Sequence, residues 1–156
     1  MGKYSFFALL FTALLLPWTG RTEERENLAL HAMVFCQNGD NPEAAVNGRR
    51  DGSFWGARWS ENNWLEVDLG TVRTVDGFRI FFWWGDNRYY SYFVRVSEDG
   101  KQWREVVDER KNRTVSRKEG FPHEIAPCKA RYVRLYVTYN PNNAASHVRE
   151  LEIYGK

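Results

Sequence analysis

The stretch YFVRVSEDG, residues 92–100, decides the fold class of this chain. Its residues alternate with a period of two, so that Tyr92, Val94 and Val96 lie on one side and Phe93, Arg95 and Ser97 on the other. This period is typical of a β-strand, in which successive side chains point to opposite faces. The acidic residues and glycine that follow are typical of a turn. The stretch therefore predicts a strand that ends in a tight turn.

The same alternation recurs along the rest of the chain. It is found in WLEVDLG (64–70), VDGFRIFF (75–82), ARYVRLYVTY (130–139) and RELEIYG (149–155). Turn sequences such as KEGFP and NPNN separate these segments, and the one helix-like piece is NPEAAVNG. Several short alternating strands with this spacing indicate an antiparallel sandwich or barrel. We predict a single all-β domain over residues 26–156.

The N-terminal segment has the pattern of a secretory signal peptide. Lys3 precedes a continuous apolar run from Phe6 to Leu16, which is too short to anchor the chain in a bilayer. Cleavage is expected between Gly20 and Glu24, so we assign residues 1–22 to the signal peptide. The mature domain is therefore expected to be secreted, or periplasmic in a bacterium.

The charge balance is nearly neutral, with 22 Lys and Arg residues against 20 Asp and Glu residues. General nucleic-acid binding depends on a large positive surface, so the balance argues against that class. Aromatic residues make up 16% of the chain, and seven are tryptophans. Such enrichment is typical both of β-sheet cores and of binding surfaces built from rings.

The chain has two cysteines, Cys36 and Cys128. In an oxidising compartment the simplest interpretation is one disulfide that closes a long loop. Two unpaired buried thiols are the alternative.

The order of several motifs resembles that of the discoidin domain, also called the factor V/VIII C-type domain. The motifs are NLAL (27–30), PEAAVNG (42–48), ARWSENNWLEVDLG (57–70), YFVRVSEDGKQWREV (92–106), ARYVRLYV (130–137) and RELEIYG (149–155). Among its branches, the chain most resembles family 32 carbohydrate-binding modules. The resemblance implies an eight-stranded antiparallel jelly-roll sandwich with ligand-binding loops at one end and no catalytic activity.

The ring-rich stretch FFWWGDNRYY, residues 81–90, is the first candidate binding loop. Alternation assigns Phe78, Ile80 and Phe82 to the core, whereas Trp83 and Trp84 fit either core packing or stacking on a ligand. A sugar needs fixed donors and acceptors for its hydroxyls, which a guanidinium, a carboxylate and an amide provide. The predicted ligand-binding residues of this loop are Trp84, Asp86, Asn87 and Arg88. The alternative is a polar turn.

Two other loops are predicted to meet this one. The stretch WSENNW offers Glu61 and Asn62, and TYNPNNAAS offers Tyr139 and Asn140. Each could equally be a solvated loop with turn-forming asparagines. Sugar identity cannot be transferred, because the histidine that follows the tryptophan of the RW motif in galactose-binding members is absent here.

The resemblance also implies a structural calcium ion between the turn after the short helix and a C-terminal glutamate. The corresponding ligands are Ala44, Asn47, Arg49, Ser53 and Glu150. Calcium prefers oxygen ligands, many of them carbonyls. Asn47 replaces the usual carboxylate, which weakens the predicted site.

These features predict a secreted, non-catalytic domain that binds a glycan or glycoconjugate. An alternative is an adhesion domain that binds anionic lipid or sulfated glycan through RKNRTVSRK, residues 110–118. An enzyme is a third alternative. A glycosidase needs two facing carboxylates, for which Glu61 and Asp86 are the candidates, but nothing in the sequence shows that these two residues face each other.

Overall fold

The computed structural model describes residues 25–58 and 63–156. The predicted signal peptide lies outside these residues. The described residues form seven strands and one 3₁₀ helix: β1 Met33–Cys36, the helix Pro42–Val46, β2 Trp55–Arg58, β3 Trp64–Phe82, β4 Ser91–Ser97, β5 Arg104–Glu109, β6 Phe121–Tyr139 and β7 Ala145–Gly155. No helix within the described residues is both long enough and apolar enough to cross a membrane.

All strand pairs are antiparallel, and the strand order is β2-β7-β3-β6-β4-β5, with β1 on β3. The N-terminal half of β3 pairs with β1 and β6, and its C-terminal half pairs with β7 and β6. Its pairing with β6 shifts register between Asp68 and Arg73. The antiparallel sandwich predicted from the sequence is confirmed. Among the described residues it has seven strands rather than the eight that the resemblance implies, and β3 and β6, of 19 residues each, serve both layers.

The core lies between the two layers, as the alternation predicts. Phe78, Ile80 and Phe82 of β3 are almost fully buried. The Phe82 ring stacks on the Tyr90 ring with centroids 4.5 Å apart. The Tyr92 ring also packs against Phe82, with centroids 4.9 Å apart. This aromatic cluster fixes the strand ends from which loop 83–90 departs.

The predicted disulfide is absent, and both cysteines are free. Cys36 is the register partner of Leu65, and Leu65 is in turn the partner of Leu135 on β6. Cys128 lies seven positions before Leu135 on the same strand, which corresponds to roughly 20 Å in an extended chain. A disulfide requires Cα atoms within about 7 Å. The sheet register therefore keeps the two thiols apart.

Candidate functional site

Two of the predicted binding loops meet at one end of the sandwich. Loop 83–90 joins β3 to β4, and loop 140–144 joins β6 to β7. Because Ser91 of β4 pairs with Tyr139 of β6, the end of loop 83–90 lies beside the start of loop 140–144. The ring centroids of Tyr89 and Tyr139 lie 5.9 Å apart across this junction. The sequence-based expectation that these loops come together is confirmed.

An ion pair between Arg88 and Asp86 holds loop 83–90. Nε of Arg88 donates to Oδ1 of Asp86 at 2.7 Å, and Nη2 donates to Oδ2 at 2.6 Å. Gly85, at φ 120°, adopts the backbone conformation that leads into this turn and favours glycine. The Arg88 guanidinium, helped by the side chain of Asn142, lowers the pKa of Asp86 to about 2. Arg88 is only 9% exposed, whereas the intervening Asn87 is exposed.

His147 of β7 completes this arrangement. Its Nδ1 lies 2.9 Å from the Tyr90 hydroxyl and 3.3 Å from Nη1 of Arg88, and with these two donors it acts as an acceptor. Burial, followed by the positive charge of Arg88, lowers the pKa of His147. The ring of Phe54 packs edge-on against the imidazole at 5.3 Å. Strand pairing brings His147 to this place, so no local sequence signal points to it.

The adjacent indoles of Trp83 and Trp84 are both half-buried. The guanidinium carbon of Arg149 lies 4.7 Å from the Trp83 ring centre and 5.4 Å from that of Trp84. Arg149 is 6% exposed, and its Nη1 donates to the carbonyl of Gly52 at 3.1 Å. Trp83 also packs against the core. The structure thus favours the packing alternative for Trp83 and leaves Trp84 only partly accessible to a ligand.

Asn140 shapes loop 140–144 from within. Its Nδ2 donates to the carbonyl of Ala145 and to Oδ1 of Asn143, and its Oδ1 accepts the N–H groups of Asn142 and Asn143. These bonds use both donors and both lone pairs of the amide, so Asn140 has none left for a ligand. The loop forms a concavity of about 310 Å³ around Asn140, and Tyr139 is one of the residues that line this concavity.

The basic segment 110–118 runs beside loop 83–90. Asn112 donates from Nδ2 to the carbonyl of Tyr90 at 2.8 Å. The guanidinium carbon of Arg113 lies 5.0 Å from the centre of the Tyr89 ring. The segment is therefore attached to the predicted binding loop, a proximity that sequence analysis did not predict.

Glu61 and Asn62, predicted in the third loop, lie outside the described residues. The residue that follows them, Asn63, is 1% exposed and donates from Nδ2 to Oγ of Ser146 at 3.0 Å. Ser146 is the second residue of β7, two positions after the end of loop 140–144. This contact places Asn63 near the end of loop 140–144.

Comparison with known families identifies the domain. Residues 32–151 match the family model of the F5/8 type C domain. The chain belongs to this family. The residues matched to the F5/8 type C domain run from the position before β1 into β7 and include loops 83–90 and 140–144.

Relatives of this F5/8 type C domain fall into two groups. BTB/POZ domain-containing protein 9 of Homo sapiens is 34% identical over 89 residues, which cover 56% of this chain and 14% of that protein. Among solved structures, the family 32 carbohydrate-binding module of AlyQ, in complex with 4,5-unsaturated mannuronic acid, is similar with a TM-score of 0.67 and 22% identity, covering 78% of this chain and 93% of that one. A family 89 glycoside hydrolase from Clostridium perfringens, in complex with PUGNAc, is similar with a TM-score of 0.73 and 25% identity. The match covers 83% of this chain and 14% of that one.

The calcium site expected for this F5/8 type C domain centres on Glu150, which is fully buried. Both of its carboxylate oxygens accept the N–H of Gly48, at 3.0 and 3.1 Å, and the N–H groups of Asn47 and Arg49 also point to it. The Asn47 side chain accepts a hydrogen bond from the Arg49 N–H at 2.8 Å. Backbone N–H groups therefore point at the carboxylate that would bind a calcium ion. Because calcium needs oxygen ligands at this place, the described conformation does not fit calcium.

The remaining expected ligands do not change this conclusion. Ala44 is buried within the 3₁₀ helix, and Ser53 is exposed beyond the turn. In the described part of the chain, no three His, Cys, Asp or Glu side chains are grouped to hold a metal ion. Calcium binding thus stays a prediction that requires the turn at 47–49 to rearrange.

Proposed function

We propose that this domain is a non-catalytic saccharide-binding module whose site is the surface of loops 83–90 and 140–144. The observation that carries the proposal is the exposure of Tyr139, 47% accessible, at the edge of the loop 140–144 concavity. Tyr89 lies next to it and extends the aromatic surface. Sugar rings have apolar C–H faces that pack on such aromatic rings.

Polar groups for the sugar hydroxyls border the same concavity. Asn142 and Asn143 are exposed, and their backbone N–H groups are fixed by the buried amide of Asn140. An amide side chain offers both donors and acceptors, so it can match a hydroxyl in either role. A small number of fixed polar groups beside apolar surface is typical of ligand sites.

The base of the site is rigid in a way that supports binding. Arg88 is largely buried and bonds to both Asp86 and His147 rather than projecting into solvent. We therefore assign Arg88 to positioning of the loop instead of direct contact with the sugar. A preformed loop loses less conformational entropy when a ligand binds.

The charge state of Asp86 excludes it from one of the two carboxyl roles in a glycosidase, that of the general acid. With a pKa of about 2 and both oxygens bonded to Arg88, this carboxylate is ionised and occupied at neutral pH. A glycosidase needs one carboxylic acid that stays protonated until it donates to the leaving group. Asp86 is unsuited to that role.

Similar solved structures support saccharides as the ligand class, since one contains 4,5-unsaturated mannuronic acid. The chain spans about one seventh of the BTB/POZ relatives, so their whole-protein function does not transfer. The proposal includes secretion, which the N-terminal apolar run predicts.

A glycan array with the purified domain tests the proposal. We expect binding to a defined set of glycans, reduced at least tenfold by Tyr139→Ala. Phe35→Ala is the matched control, because Phe35 is a 51% exposed ring on the edge strand β1 and should leave binding unchanged. Absence of binding to every glycan, or equal binding by both variants, would refute the site. Release of free sugar during incubation would refute the non-catalytic function.

A further inference from the structure

The segment beside the proposed site carries an uneven charge. Residues 110–119 contain the basic residues Arg110, Lys111, Arg113, Arg117 and Lys118 against the single acid Glu119. Arg110 is neutralised by Glu105 and Asp108, which accept its hydrogen bonds at 2.6 to 2.8 Å. The other basic side chains have no ion pair with the described residues. The edge of the site is therefore electropositive.

Arg113 is the basic residue that lies closest to the aromatic surface. Its Nη1 donates to Oγ of Ser91 at 3.1 Å and to the carbonyl of Asn112 at 2.7 Å, and both acceptors are uncharged. The side chain is exposed, and within the described residues its Nε and Nη2 donate no hydrogen bond. These groups form the planar fork that binds a carboxylate or sulfate through two parallel bonds.

The position of Arg113 relative to the rings is fixed. Its guanidinium covers the Tyr89 ring, and the neighbouring Tyr139 ring is the exposed one. Tyr89 thus contacts both the guanidinium and the ring on which a sugar would stack. A substituent on that sugar, or on the next residue of a chain, reaches the fork.

We infer that the saccharide bound at this site is acidic and that Arg113 binds its carboxylate or sulfate group. The inference rests on the proposed function and names the class of its ligand. The amide-lined concavity of loop 140–144 favours a hydroxylated ligand over the acyl chains of a lipid surface.

The test compares acidic oligosaccharides with their neutral counterparts. Uronate oligosaccharides and sulfated glycans are printed beside their carboxyl-reduced or desulfated forms, which keep the same rings and linkages. The wild-type domain, Arg113→Gln and Arg104→Gln are applied at low salt. Arg104 is the matched control because it is an exposed arginine paired with Val96, at the end of β4 opposite to loop 83–90.

We expect the wild-type domain and Arg104→Gln to bind at least one acidic form about tenfold more tightly than its neutral form, a preference that declines with salt. Arg113→Gln should lose the preference while keeping a folded spectrum and residual binding of the neutral form. Equal binding of acidic and neutral forms by the wild-type domain would overturn the inference and leave the proposed function intact. An unchanged preference in Arg113→Gln would also overturn it.

Two further outcomes distinguish the failures. Binding to vesicles of phosphatidylserine and phosphatidylcholine, with no glycan bound in either form, would assign Arg113 to a lipid surface and overturn both the inference and the proposed function. The absence of both kinds of binding would reject the proposed function together with the inference.

Discussion

Nη2 of Arg88 lies 2.6 Å from Oδ2 of Asp86, and this contact neutralises a largely buried guanidinium with an acid two residues earlier in the chain. The loop that was expected to offer both groups to a ligand uses them instead to hold its own shape. The same guanidinium bonds to His147, so the pair also connects loop 83–90 to β7.

Asp86→Ala should therefore destabilise the domain. Removal of one partner leaves the Arg88 charge buried, which costs 3–5 kcal/mol for a fully buried pair. Because the Asp86 side chain is 40% exposed, we expect a smaller loss of about 2 kcal/mol, measured by urea denaturation. Glu98→Ala, at an exposed acid in the β4–β5 turn, should change the unfolding free energy little. If Asp86→Ala and Glu98→Ala changed the unfolding free energy equally, this would contradict a stabilising role for the Asp86–Arg88 pair.

The stability of the domain should fall in mild acid because of His147. Burial and the charge of Arg88 lower its native pKa below the ordinary value of 6.5. Between these two pKa values the unfolded chain binds more protons than the native chain, so the contribution of His147 is complete above pH 6.5 and is lost as the pH falls. His147→Gln, whose amide oxygen can still accept the Tyr90 hydroxyl, should flatten the stability profile between pH 7 and about 5.

A second histidine provides a comparison for that experiment. The pKa of His123 is also lowered by burial, so His123→Gln should remove a second, separate part of the acid dependence. A profile that His147→Gln does not alter would argue against the neutral acceptor role of Nδ1.

Asn140 and Asn142 should behave differently when replaced by alanine. Asn140→Ala removes the buried amide that organises loop 140–144 and should cost about 1–2 kcal/mol of stability together with binding. Asn142→Ala removes an exposed side chain together with its hydrogen bond to Asp86, and should weaken glycan binding with a smaller loss of stability than Asn140→Ala. Thermal unfolding and glycan-array binding should be measured on both variants. A stable Asn140→Ala domain with unchanged glycan binding would contradict the organising role of Asn140 in loop 140–144.

Calcium titration tests the turn at 47–49. Since N–H groups of the turn point at Glu150, we expect millimolar calcium to leave the thermal midpoint unchanged. A midpoint that rises with calcium concentration would show that the turn can rearrange, and would support the site that the family resemblance implies.

Both thiols should be titratable under non-reducing conditions. Mass spectrometry after alkylation in denaturant should show two modified cysteines, and a reductant should not change the thermal midpoint. In the native domain Cys36, which is half-buried, should react before Cys128, which is 8% exposed. Detection of an intramolecular disulfide would contradict the register of β1 and β6.

The period-two pattern predicted β4, segments of β3, β6 and β7, and much of the core, because successive side chains point to opposite faces of a strand. Phe78, Ile80 and Phe82 are examples of these core residues. The pattern did not predict β1, β2 and β5. It assigned Phe81 to the face opposite to the core. Phe81 is nevertheless only 1% exposed, and its ring lies beneath the guanidinium of Arg50. That contact joins residues about thirty positions apart, and no local pattern encodes it.

The candidate site was predicted in its location but not in its roles. Loop composition correctly placed Tyr139 on an accessible surface, whereas Arg88 and Asn140 turned inward. A polar side chain in a loop can bond to a ligand or to the protein, and only the surrounding strands decide which. His147 and Arg113 reach the site through β-sheet register and a long connection, which sequence spacing does not reveal.

β3 and β6 pass through both layers of the sandwich, and this continuity governs how the domain comes apart. Neither layer can detach without breaking the hydrogen-bonded ladder of the other, so denaturation should proceed in a single all-or-none step. Hydrogen–deuterium exchange should then report one common opening free energy for the central amides of both strands. A module that is pulled at its ends while attached to a polymer would hold its full shape until it ruptures as a whole.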